Sequence, residues 1–243
     1  MSTPPTVDRR TLLSALADPQ RLRIVDALAL SDLSPSELSR DLDLPSNLLA
    51  HHVGVLTDAG AIVRRRSEGD GRRSYLALAW EQPLVAAAVA HGQSLGASRV
   101  VFVCTANSAR SQFAASLFAR QSDVPVASAG TAPAPFVNPF AVAELARHGL
   151  QPLSYVPTAL ASDRREGDLV ITVCDNARES LADDAALHWS VPDPARASAA
   201  DRGEGRAGDQ AEGASAEAFA AAFSQIQPRV QRLAAAVTNG SPS

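Results

Sequence analysis

Cys104 and the pair Arg110-Ser111, five residues apart, have the spacing in this chain that best serves chemistry. The apolar run VVFV before Cys104 suits a buried strand of a parallel sheet. The residues from Ser111 onward read as a helix. A loop between such a strand and a helix N-terminus can turn successive backbone N–H groups onto a tetrahedral oxyanion. The helix N-terminus and Arg110 both favour negative charge, and with it the thiolate of Cys104. Arg110 also presents a planar fork to two equatorial oxygens. Asn107 can fix the shape of the loop, and Ser111 can hydrogen-bond the thiolate. Thr105, Ala106, Asn107, Ser108, Ala109, Arg110 and Ser111 are therefore the expected anion-binding residues. Far downstream, Asp193 precedes Pro194 in HWSVPDPA, where a carboxyl group can protonate a leaving oxygen.

Cys174 closes a second apolar run, DLVITVC. If that run is a parallel strand, both thiols lie at the carboxyl edge of the sheet, where active sites belong. Two cysteines are too few for a disulfide scaffold or a four-cysteine zinc site, so no metal is expected. Each thiol is catalytic, redox-active or simply buried.

The elements that must position these groups alternate from Arg99 onward. Helices are predicted over 111–121 and 139–148, strands over 124–130 and 168–174, and a short strand over 187–191. Residues 195–215 are poor in apolar side chains and read as a mobile loop before a closing helix over 215–236. Residues 8–97 are mostly helical in pattern. Pro35 and Ser46 open two helices within 35–59, and Gly60 closes the second. A two-stranded wing over 61–78 turns at Glu68-Gly-Asp-Gly71, and a further apolar helix is predicted over 83–95.

That order of helix, turn, helix and basic hairpin suits double-stranded DNA, with the second helix in the major groove. Ser46, Asn47 and His51 fall on its outer face, while Arg64, Arg65, Arg66, Arg72 and Arg73 supply five cations for phosphate. His52 reads as a packed core residue. Two domains are expected, 1–97 and 98–243, in keeping with 243 residues of which 46% are hydrophobic. All 22 basic residues are arginine, and the net charge of −4 gives no global basic field. No run approaches a membrane span, and MSTPPTVDRR lacks the apolar centre of a signal peptide, so a cytoplasmic protein is expected.

LADPQRLRIVDAL (16–28) and NLLAHHVGVLTDAGAIVRRR (47–66) resemble the ArsR family of small dimeric repressors. The resemblance implies a homodimer formed through the N-terminal domain, with helix 83–95 as the contact. Residues 1–98 contain no cysteine, which argues against the thiolate metal site usual in that family's sensors. Residues 99–236, apart from the 195–215 loop, resemble the low-molecular-weight tyrosine phosphatases and, among them, the arsenate reductases built on that fold. SAGTAPAPFVNPFAVAELARHGL (128–150) and the Arg-Ser-Gln of the loop resemble the reductase branch.

The resemblance implies a four-stranded parallel sheet covered by helices on both faces, with Cys104 as nucleophile and Asp193 as acid. It also implies arsenate or phosphate as the bound oxyanion. Reduction of arsenate would need a second thiol, either Cys174 or an external donor such as thioredoxin or a small thiol, and no bound cofactor. The extra cysteines of a three-thiol relay are missing: Ala109 stands before the loop arginine, and CDNARESLAD carries no second cysteine. Ala106 occupies a position where the family commonly has glycine, and is expected to be strained if its φ is positive. Two other readings stay open, a phosphotyrosine phosphatase and a transcription factor that only senses an oxyanion or thiol state.

Overall fold

The computed structural model describes residues 8–89, 94–196 and 208–240. The chain divides into two compact units, Met1–Gln93 and Ser94–Ser243.

The first unit opens with α1 (Arg9–Leu16) and α2 (Pro19–Ala27), followed by α3 (Pro35–Leu42) and α4 (Ser46–Asp58). Short polar side chains start the first three helices. Asp8 and Asp18 accept first-turn N–H groups, and Ser34 closes a capping box with Glu37. Asp43 ends α3 at φ 52° and Gly60 follows α4 at φ 71°. The antiparallel wing comprises β1 (Ile62–Arg66) and β2 (Ser74–Leu78), in a register that pairs Ile62 with Leu78. Leu12, Ile24, Leu38, Leu56, Leu76 and Val85 meet in the core of this winged helix-turn-helix unit.

The expected helix over 83–95 is shorter: α5 spans Pro83–Ala88. Leu95–Ala97 is instead a strand, β3, paired in parallel with Val237–Asn239 of the second unit. These residues therefore belong with the C-terminal unit, because their backbone partners lie at the far end of the chain.

In the second unit β4 (Arg99–Cys104), β5 (Val126–Gly130), β6 (Asp168–Thr172) and β7 (Leu187–His188) form a four-stranded parallel sheet in the order β5-β4-β6-β7. Every residue of β4 is buried, as a central strand requires. Helices of this unit include α6 (Arg110–Ala119), α7 (Pro139–Arg147), α8 (Leu160–Asp163), α9 (Asp175–Leu181) and α10 (Gly208–Ala236), and β8 (Val237–Asn239) follows α10. Phe113 of α6 meets Phe223 of α10 edge-on at 5.4 Å, and Phe140 of α7 meets Phe219 at 5.7 Å. These rings hold α10 against α6 and α7. Part of the expected mobile segment, 197–207, lies outside the described residues, whereas 208–215 is already helical. Among the described residues no helix is long and apolar enough to cross a membrane.

Candidate functional site

Cys104 ends β4 and Arg110 begins α6, so the five residues between them form the strand-to-helix loop. Each carbonyl along this stretch is taken from outside it. Thr131 N–H donates to Cys104 O at 3.0 Å, Ala132 to Thr105 O at 2.9 Å, and Ala134 to Ala106 O at 2.9 Å. Gln112 Nε2 donates to Asn107 O at 3.2 Å, and Asn138 N–H to Ser108 O at 2.9 Å. With its acceptors satisfied outward, the loop keeps its N–H groups for the inner side. The N-terminus of α6 carries no side-chain cap and leaves its first-turn donors for an anion as well.

Donors also converge on the sulfur. Asn107 N–H reaches Cys104 Sγ at 3.2 Å, and Ser111 Oγ lies 3.1 Å from it. Asn107 Nδ2 donates to Ser111 Oγ at 2.9 Å, which directs the hydroxyl proton toward the sulfur. Asn107 Oδ1 accepts Thr158 N–H at 2.9 Å. Asn107 sits at φ 50°, whereas Ala106 is not among the residues with positive φ. The strain anticipated at Ala106 is therefore absent, and the left-handed residue is one whose side chain tolerates it. Thr105, Ser108 and Ala109 line the same cavity as Cys104.

Arg110 is buried; its Nη1 donates to Val191 O at 2.8 Å and its Nη2 lies 3.4 Å from Asp193 Oδ2. Asp193 Oδ1 in turn accepts Ala195 N–H at 3.0 Å. The nucleophile loop and the expected acid, 89 residues apart in sequence, thus face one cavity of about 200 Å³. Asn138, Asn176 and Arg196 line it as well.

β6 stops at Thr172, two residues before the second thiol, and Cys174 instead caps α9. Its Sγ accepts Ala177 N–H at 3.4 Å and lies 3.5 Å from Thr105 Oγ1. Both cysteines are free. Burial pushes the Cys174 thiol above its ordinary pKa, outweighing the opposing field of Arg110.

Several participants were not singled out from sequence. The segment Thr131–Asn138, quoted above only for its likeness to the reductase branch and given no role there, supplies four of the donors that orient the loop. A Cβ on Gly130 would lie 2.6 Å from Thr105 O. His188 joins Thr172 Oγ1 at 3.0 Å to Asp175 Oδ1 at 3.2 Å, tying β7 to the start of α9. The HWSVPDPA segment was the available signal for His188, but only its partners reveal the role.

In the first unit Ser46, Asn47, Ala50, His51 and Gly54 are exposed on α4, while Leu49, His52, Val53 and Leu56 face the core. Arg64, Arg66, Arg72 and Arg73 are exposed on the wing and Arg65 is half-buried. Asp70 binds Arg72 through two hydrogen bonds of 3.0 and 3.2 Å and lies 3.8 Å from Arg73. Arg66 Nε donates to Gly71 O.

A model of the low molecular weight phosphotyrosine protein phosphatase family matches residues 99–241, more than half the chain. The chain belongs to that family. In this phosphatase-family chain a helix-turn-helix domain model also matches residues 16–65. Among solved structures, an arsenate reductase from Archaeoglobus fulgidus is 26% identical over 56% of this chain and 98% of its own, with a TM-score of 0.37. A YwlE mutant from Bacillus subtilis is 22% identical over 56% of this chain and 95% of its own, at 0.42. Reduced HlyU from Vibrio cholerae is 29% identical over 32% of this chain and 77% of its own, at 0.29. A helix-turn-helix domain is thus fused to a low-molecular-weight phosphatase domain.

Proposed function

We propose that the C-terminal domain is a thiol-dependent arsenate reductase and the N-terminal domain a dimeric DNA-binding regulator. One observation carries the reductase reading: the oxyanion loop opens into a cavity of about 200 Å³, lined also by Asn138, Asn176 and Arg196, in which Phe219, almost wholly buried, is the one aromatic lining residue among the described residues. Such a cavity suits a small inorganic oxyanion better than the ring of an aryl ester.

The Cys104 thiolate attacks arsenic, and Asp193 protonates the oxygen that leaves as water. Loop N–H groups and Arg110 hold the remaining oxygens. A second thiol then attacks Cys104 Sγ. The sulfur–arsenic bond breaks with its electron pair going to arsenic, arsenite leaves, and two sulfurs are joined as a disulfide. The second thiol is Cys174 or one supplied from outside. Burial keeps Cys174 protonated, which favours an outside thiol for the attack.

The family model itself favours a second reading, in which water resolves a phosphocysteine. Arsenite formation by purified protein, with thioredoxin or small thiols as donors, separates the two when aryl-phosphate hydrolysis is run alongside. Arsenite production lost in Cys104→Ser supports reduction; phosphate release without arsenite overturns it. For the regulator, Ser46, Asn47 and His51 are assigned to base edges, and the arginines at 64, 65, 66, 72 and 73 to phosphates.

A further inference from the structure

The cavity over Cys104 holds two guanidinium groups with different duties. Arg110 is engaged by Val191 O and Asp193 and sits against the loop, where the oxyanion binds. Arg196 lines the same cavity and is exposed to solvent. Its backbone N–H donates to Asp193 O at 3.2 Å, which anchors it beside the acid. Its side chain makes no hydrogen bond or ion pair with any described residue. Asn176, two residues after Cys174, also lines this cavity. An unengaged, solvent-exposed guanidinium fork lining a reaction cavity matches a carboxylate.

The chain itself narrows what brings that carboxylate. It has two cysteines, and the one that is not the nucleophile is fully buried and held protonated by that burial. The attacking thiol must therefore come from outside and reach Cys104 through the cavity that Arg196 lines.

We infer that Arg196 is a specificity residue that selects a small thiol carrying a carboxylate as the electron donor. This rests on the reductase reading. The carboxylate of the donor pairs with the guanidinium while its thiolate attacks Cys104 Sγ of the Cys104–arsenate adduct. The sulfur–arsenic bond breaks, arsenic takes the electron pair and leaves as arsenite, and a mixed disulfide forms between Cys104 and the donor. A second donor thiolate attacks the donor sulfur of that disulfide, releasing the Cys104 thiolate and a symmetric donor disulfide.

The test follows arsenite formation by the full chain with 3-mercaptopropionate, 2-mercaptoethanol and cysteamine, which are anionic, neutral and cationic at neutral pH. Each donor is compared between wild type, Arg196→Gln and Arg196→Glu, because the variant-to-wild-type ratio cancels the donor's intrinsic reactivity. In Arg196→Gln, kcat/KM for 3-mercaptopropionate falls roughly five- to tenfold relative to that for 2-mercaptoethanol. In Arg196→Glu the order inverts in favour of cysteamine. Ratios that fall equally for all three donors mean a merely structural arginine and overturn the inference alone. No arsenite from the wild type with any donor overturns the reductase reading and the inference with it.

Discussion

Gly130 and Thr105 meet backbone to backbone: a Cβ on Gly130 would stand 2.6 Å from the carbonyl oxygen of Thr105 and 3.1 Å from Asn107 N. Both neighbours are main-chain atoms of the anion loop, so they cannot swing aside as a side chain would. Gly130→Ala should displace the loop and lower turnover by about a hundredfold, the usual result of misplacing reacting groups by an ångström. The loss should exceed anything explained by unfolding, which circular dichroism on the same preparation checks. Full activity in that variant would contradict the geometry.

Asn107 combines a left-handed backbone with three side-chain and backbone hydrogen bonds to Cys104, Ser111 and Thr158. Asn107→Ala keeps the φ of 50° without the carboxamide and should cost about 2–3 kcal/mol of stability. Asn107→Gly removes the backbone strain but not the lost bonds, and should recover about 1 kcal/mol of that. Urea denaturation of the two variants measures the difference.

The two thiols should differ sharply toward iodoacetamide near neutral pH. Both thiols are buried, but Cys104 lines a cavity and accepts the Asn107 N–H, whereas Cys174 is held above its ordinary pKa by its burial. Peptide mapping should find Cys104 modified first, and phosphate should protect it. The raised Cys174 pKa also has a stability consequence. Its contribution is whole below the ordinary thiol value and is lost as pH climbs through the raised one. Cys174→Val should therefore lessen the alkaline fall in stability.

Arg99, at the start of β4, donates to both carboxylate oxygens of Asp168 at 2.8 and 2.6 Å and to Asp163 at 3.0 Å. Burial alone would raise the Asp168 pKa; hydrogen bonds from Arg99 and Arg165 N–H outweigh it and hold the carboxyl below its usual value. Stability from this pair is thus complete above the ordinary carboxylate range and is lost as pH falls through the depressed value. Arg99→Met should cost about 3 kcal/mol at neutral pH and flatten the acid decline. Denaturant midpoints from neutral pH down to acid decide it.

The wing arginines are not equivalent. Arg72 already has a bidentate partner in Asp70, while Arg64 is exposed on β1 away from that turn. If both face phosphate, Arg64→Ala should lower the slope of log affinity against log salt by about 0.9, and Arg72→Ala by less. Fluorescence anisotropy on a duplex of random sequence over a salt series reads both slopes.

Much of the chemistry was legible because it is local. Cys104, five loop residues and Arg110-Ser111 lie within one stretch, and strand and helix periods on either side identify the turn. The helix-turn-helix unit was equally readable, since caps such as Asp18 and Ser34 act within three residues of themselves. Other features had no local signal. Helix α5 ends at Ala88 and Leu95–Ala97 pairs with Val237–Asn239, which no periodicity within 83–95 could announce.

The sequence by itself supplied the groups proposed to carry the reaction: a thiol, a guanidinium and a carboxyl of suitable type and order. Only the tertiary structure decided how they are held. Placing β5 beside β4 brings Gly130 under Thr105 and the N–H groups of Thr131–Asn138 onto the loop carbonyls. The reason is physical: a backbone carbonyl looks the same in every sequence, and which donor satisfies it depends on the strand that folding sets alongside.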